Sequence, residues 1–132
     1  MKKGDILSRK MIKESHKIAA VIACRVGSDR LYAKPLQYVG KENILELQLR
    51  QLKKSKYIED IVLAISQNPG NEIFVEFAKQ NKIKFILGDD KNVLNRLILG
   101  ANFVDADTIL RTTSENPFIF WEGIDYLIEN HL

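Results

Sequence analysis

Cysteine is nearly absent from this chain: Cys24 is the only one in 132 residues. That excludes an internal disulfide framework and a cysteine-rich zinc site. Long apolar runs are missing too. The longest, Ile18–Cys24, has seven residues, far short of the roughly 20 that a bilayer-spanning helix needs. No Gly-x-Gly-x-x-Gly follows a strand and no Gly-x-x-x-x-Gly-Lys-Ser/Thr occurs, which argues against a dinucleotide-dependent dehydrogenase and a P-loop NTPase. Internal repeats and linkers rich in Gly or Ser are lacking as well. What is present is an ordinary globular composition, 45% hydrophobic and 28% charged, which argues against disorder and low complexity. A chain of this length buries roughly two-thirds of the surface its unfolded form exposes, so it folds without a metal or a disulfide.

The formal net charge is +3, but the positive excess is local. Lys2, Lys3, Arg9, Lys10, Lys13 and Lys17 face only Asp5 and Glu14 in the leading segment, and the remaining chain is slightly acidic. Polyanion binding needs basic residues clustered on the folded body. The charge therefore predicts a solvated basic extension over 1–16 and an α/β domain over 17–132, with no nucleic-acid surface. Val21-Ile22-Ala23-Cys24 looks like a lipoprotein cleavage site. However, the apolar stretch before the cysteine is shorter than the ~7–15 residues of a signal segment, and Asp5 and Glu14 interrupt the basic stretch. The expectation is a buried first strand in a cytoplasmic protein with no membrane partner.

Lys17–Cys24 reads as a strand buried on both faces, as in a parallel sheet. Asn43–Lys56 follows as a helix, with Leu45, Leu49 and Leu52 at helical spacing and Asn43 as its N-cap. Asp60–Ser66 is a second strand, closed by the turn signal Asn68-Pro69-Gly70. Asn71–Asn81 places Ile73, Phe74, Phe77 and Ala78 on one helical face, and Lys84–Leu87 is a third strand. Gly88-Asp89-Asp90 opens a helix capped by an aspartate, with Val93, Leu94, Leu97, Ile98 and Ala101 inward. Thr108–Thr112 is a fourth strand after the Asp105-Ala106-Asp107 turn. A last helix has Pro117 in its first turn, runs toward Asn130, and puts Phe118, Trp121 and Ile124 in the core. Strands alternating with helices imply a Rossmann-like parallel sheet wrapped on both sides.

Ligands of such sheets bind beyond the carboxyl ends of the strands. The loop after strand one gathers Arg25, Arg30 and Lys34 around Gly27 and Ser28. Glycine lets backbone approach an anion, serine offers a hydroxyl and an N–H, and arginine bonds phosphate oxygens at two points. That set suits a polyphosphate. The same residues also fit a polar surface loop whose arginines pair with neighbouring acids.

The segment from Ala23 through Arg25-Val26-Gly27-Ser28-Asp29-Arg30-Leu31-Tyr32-Ala33-Lys34-Pro35-Leu36 resembles the signature of sugar cytidylyltransferases. These are the CMP-activating enzymes of the acylneuraminate and 3-deoxy-manno-octulosonate types and their spore-coat-polysaccharide relatives. Their pattern is approximately Ala-Arg-x-Gly-Ser-x-Arg-Leu-Pro-x-Lys-x-Leu. Gly40-Lys41, Leu52–Ser55, Val62–Ser66, Gly88–Arg96 and Arg111–Pro117 also resemble the spore-coat type, so the likeness runs from about Ile18 to the C-terminus.

The resemblance implies the nucleotide-binding half of a nucleotide-diphospho-sugar transferase fold, apparently truncated. The sugar pocket and the dimer arm of such enzymes lie further along. It implies transfer of CMP from CTP to a sugar acceptor with release of pyrophosphate and use of Mg²⁺. Arg25 and Lys34 would grip the triphosphate catalytically, and Ala23, Gly27, Ser28 and Arg30 would complete the nucleotide contacts. Glu115 stands where the family commonly has a metal-binding aspartate, although Glu115 and Ser114 also suit the cap of the last helix. Tyr32-Ala33 replaces the usual proline after Arg-Leu. Asp89 and Asp90 fit nucleotide or metal contacts as well as helix capping. The alternative to an active enzyme is a catalytically silent nucleotide-binding or assembly domain, and a homodimer is compatible with both.

Overall fold

The computed structural model describes residues 16–26, 38–39, 41–113 and 120–131. Its elements are β1 (Ile18–Cys24), β2 (Tyr38–Val39), β3 (Glu42–Asn43), α1 (Ile44–Lys54), β4 (Ile58–Ser66), α2 (Glu72–Asn81), β5 (Lys84–Gly88), α3 (Val93–Phe103), β6 (Thr108–Thr113) and α4 (Trp121–His131). Four strands form a parallel sheet in the order β5-β4-β1-β6. The expected parallel α/β sheet with helices on both faces is therefore what the chain adopts.

The order explains the layering. The chain steps from β1 to β4 to β5 in one direction, then returns past β1 to place β6 on its far side. Right-handed crossovers put helices on opposite faces when the direction of travel reverses. Ile18, Ala20, Ile22 and Cys24 of β1 accordingly share a core with Leu45, Leu49 and Leu52 of α1, Phe74 and Phe77 of α2, and Ile124 and Ile128 of α4. The alternate residues Val21 and Ala64 face Leu97 of α3. Side chains on that face are small, and α3 comes very near: a Cβ added at Gly100 would lie 2.9 Å from Val21 Cγ1.

Local signals account for the boundaries. Asn43 caps α1 through a reciprocal box, its Oδ1 accepting from Glu46 N at 2.7 Å and its own N–H donating to Glu46 Oε1 at 3.2 Å. The helix ends at Lys54 with Ser55 as its cap, two residues short of the expected Lys56. Gly70, at φ +97°, supplies the left-handed residue of the turn after β4.

Helix α3 departs from expectation twice. Its N-cap is Asn92, whose side chain accepts from Asn95 N at 2.9 Å, and not an aspartate. Leu94 and Ile98 point to solvent, while Arg96, Leu97 and Gly100 form the buried stripe. The short antiparallel hairpin of β2 and β3 was not foreseen within the long first loop. The expected Pro117 start of the last helix and the Phe118 contact lie outside the described residues; Ile124 is buried and Trp121 half-buried.

At the amino ends of the strands a charge cluster ties the sheet together. Asp60 lies 2.7 Å from both Lys17 Nζ and Lys84 Nζ. His16 Nε2 is 2.5 Å from Thr108 Oγ1. No described helix is long and apolar enough to cross a membrane.

Candidate nucleotide site

The carboxyl ends of the parallel strands lie at Cys24, Ser66, Gly88 and Thr113. The strand order reverses between β1 and β6, and crevices for ligands open beyond such switch points. β1 is thus the strand whose exit matters most, and Arg25 is the first residue past it.

Arg25 has a half-exposed side chain, with Nε 3.8 Å from Asp90 Oδ1. That is a loose pairing of a cation at the mouth with an acid from the loop after β5. Asp90 is itself fixed, because Ser66 Oγ at the end of β4 donates to its Oδ1 at 2.6 Å. The next residue, Val26, donates its N–H to Asn71 Oδ1 at 2.6 Å, and Asn71 Nδ2 donates to Asn68 O at 2.9 Å. The exits of β1, β4 and β5 are thereby tied into one surface by Asp90 and Asn71. Asp89 serves the α3 entry, its Oδ2 accepting from Asn92 N at 3.0 Å.

Beneath this surface lies Arg96, fully buried. Its Nη1 donates to Cys24 O at 3.0 Å and to Ala64 O at 2.9 Å. Its Nε and Nη2 have no partner among the described residues. Burial pulls its pKa down from the ordinary arginine value, and the charge of Asp90 works in the opposite direction; an arginine remains charged in proteins regardless. The stem fits only because residue 88 is glycine, where an added Cβ would lie 2.6 Å from Arg96 Cγ.

Of the sequence-derived site residues, Arg25 stands at the mouth and Ala23 lies partly buried inside β1. Gly27, Ser28, Arg30, Lys34 and Glu115, with Ser114 and Tyr32, lie outside the described residues. Asp90 contacts Ser66 and Arg25 and does not cap α3. Arg96, Ser66 and Asn71 were not singled out. The only signal for Arg96 was its place at the end of the Gly88–Arg96 segment. Among the described residues no group of three or more His, Cys, Asp or Glu is gathered to hold a metal ion. Two clefts lie at the opposite end of the sheet, one lined by Ile18, Thr108 and Leu127, the other by Glu59, Asp60 and Lys84.

The family model for cytidylyltransferases matches residues 19–132. An uncharacterised protein of Methanocaldococcus jannaschii is 36% identical over 119 residues, covering 87% of this chain and 49% of that protein. The spore coat polysaccharide biosynthesis protein SpsF of Bacillus subtilis is 26% identical over 118 residues, with coverage of 86% and 49%. Among solved structures, a cytidylyltransferase from Leptospira borgpetersenii superposes with a TM-score of 0.79 at 28% identity, covering 87% of this chain and 48% of its own. A CMP:2-keto-3-deoxy-manno-octonic acid synthetase complexed with CTP shares the fold, with a TM-score of 0.73 at 21% identity and coverage of 86% and 46%. The chain spans about half the length of the curated relatives it matches.

Proposed function

Because the chain belongs to the cytidylyltransferase family, we propose that its sheet is the nucleotide-binding half of an enzyme that moves CMP from CTP onto a sugar oxygen. The reading carries a biosynthetic role in cell-surface polysaccharide or acidic-sugar activation, in the cytoplasm. Residues 17–132 are then the nucleotide-binding unit and 1–16 a basic extension. The observation that carries it is the position of Arg25, placed at the exit of the central strand where the sheet order reverses, with Gly27, Ser28, Arg30 and Lys34 within the next nine residues of the sequence.

In this reaction the sugar oxygen attacks the α-phosphorus. A new P–O bond forms as the bond to the bridging oxygen breaks, and pyrophosphate leaves. Negative charge grows on the bridging oxygen, so fixed cations beside the phosphates lower the barrier through positioning and electrostatics, with no covalent nucleophile required. Arg25 suits this task because its contact with Asp90 is long and its side chain half-exposed, leaving guanidinium N–H groups for phosphate oxygens. Lys34 supplies a point charge from the same loop. Mg²⁺ asks for one or two carboxylates plus phosphate oxygens and water. Glu115 is the residue we assign to it, and when bound the ion neutralises phosphate charge.

Calorimetric titration with CTP and Mg²⁺ tests the reading. The wild-type chain is expected to bind, with affinity falling at least about tenfold in Arg25→Ala and in Lys34→Ala, the loss of a charge-assisted phosphate contact. Absence of binding by the wild type, or unchanged binding in both variants, removes the assignment. A second reading is a nucleotide-binding or assembly domain of the same fold without turnover of its own. Pyrophosphate release over a panel of acidic sugars separates the two: release with any sugar supports transfer, and CTP binding without release supports the silent domain.

A further inference from the structure

Most buried polar side chains of this fold are satisfied. Asn71 bridges Val26 and Asn68, Ser66 is bonded to Asp90, and Asp125 accepts from Ser55 Oγ and Lys56 N. Arg96 is the exception: a fully buried guanidinium with one nitrogen bonded and two without partners among the described residues. Taking such a charge out of water costs several kcal/mol unless it is compensated. Its neighbour in α3, Leu97, shows that this stripe accepts a plain apolar side chain.

We propose that Arg96 is a positioning residue of the nucleotide mouth, fixing the exit of β1 and holding a buried positive charge beneath the polyphosphate. The inference rests on the polyphosphate reading above. Two observations support it. Arg96 Nη1 takes the carbonyls of Cys24 and Ala64, oxygens at the carboxyl side of β1 and β4 whose negative ends repel an anion when left free. Cys24 also immediately precedes Arg25, so the same bond orients the backbone that carries the surface cation. A charge held in a dry interior is screened little by salt or water, so its effect on a ligand above it persists where that of a surface lysine fades. Gly88 belongs to the same device, since any side chain there would collide with the Arg96 stem.

The test titrates inorganic tripolyphosphate and, separately, cytidine into the full chain and three variants. Arg96→Gln is expected to weaken tripolyphosphate about tenfold, ~1.4 kcal/mol, while cytidine binding changes little. Arg96→Lys, which keeps the charge but loses the two-carbonyl reach, is expected to fall between Gln and wild type. A purely structural role would weaken both ligands equally, and that result overturns the proposal, as does unchanged tripolyphosphate binding in folded Arg96→Gln. Should Arg96→Gln fail to fold, Gly88→Ala decides the matter together with Arg96→Lys, because it displaces the stem and keeps the charge. Selective weakening of tripolyphosphate in these two supports the proposal, and wild-type affinity in both overturns it. A wild-type chain that does not bind tripolyphosphate sinks the polyphosphate reading itself. Binding that is equal in wild type and variants sinks the role of Arg96 alone.

Discussion

Asp60 shows how one carboxylate can join three strands. It sits in β4 between Lys17, which leads into β1, and Lys84, which opens β5. Burial alone would raise its pKa, but hydrogen bonds and charges from Lys17 and Lys84 outweigh this and hold it below the ordinary aspartate value. A carboxyl with a depressed native pKa contributes stability above its unfolded pKa, near 4, and the contribution is lost as pH falls through the lower native value. Asp60→Asn is thus expected to lower the thermal midpoint by a few degrees at neutral pH. The gap to wild type should close progressively below about pH 4. Thermal melts of both proteins across that range decide it; a gap that persists undiminished in strong acid contradicts the ion-pair account. At this scale the sequence was only partly informative. The cations of the first loop were legible from type and spacing. The Arg25–Asp90 contact and the burial of Arg96 were not, because both join residues of different elements, distant in sequence, whose meeting depends on strand order.

Among the elements, helix α3 shows where periodicity stops being informative. Val93, Leu94, Leu97, Ile98 and Ala101 form an apolar stripe at helical spacing, yet the helix lies down on Arg96, Leu97 and Gly100. The rotation follows from backbone proximity: only glycine at 100 lets α3 approach Val21 and Val62 so closely. A moment drawn from hydrophobicity alone does not contain that term. The strands, the capped α1 and the turn after β4 were legible because continuous Ile/Val/Leu/Ala runs, an Asn cap and an Asn-Pro-Gly signal act locally. The β2–β3 hairpin was not, being two residues on each side. Two glycines test the packing account with opposite signs. Alanine gains about 1 kcal/mol of helix propensity over glycine. At Gly123 of α4 nothing lies within 4 Å of an added Cβ, so Gly123→Ala should stabilise by about 0.5 kcal/mol. At Gly100 the methyl meets a stiff β-branched Val21 at 2.9 Å, and overpacking of about 1–3 kcal/mol exceeds the propensity gain. Gly100→Ala should therefore be net destabilising. Urea titrations of the two variants read the signs directly, and stabilisation by both would remove the claim that α3 is seated by its glycine.

For the molecule as a whole, the two faces of the sheet are unequally covered. Three helices, α1, α2 and α4, pack on one face, whereas α3 stands by itself among the described residues on the other. A lone helix offers its far side and flanks to water. Leu94, Ile98 and Phe103 of α3 are 67%, 48% and 57% exposed, and Leu127 of α4 is 61% exposed. Scattered exposed leucines are ordinary, but on α3 Leu94 with Ile98, and Leu99 with Phe103, stand one helical turn apart and exposed, adjacent apolar pairs of the kind that associate. The expected behaviour of the chain is concentration-dependent self-association. Sedimentation velocity over a range of concentrations measures it directly. Ile98→Lys combined with Phe103→Lys should shift the distribution toward the monomer while leaving the thermal midpoint nearly unchanged, because both positions face solvent and surface substitutions of this kind usually cost little. A wild-type chain sedimenting as a single monomeric species at every concentration would show that the α3 face is tolerated by water on its own. A double variant that melts early would instead show that these side chains serve the core, against their exposure in the fold.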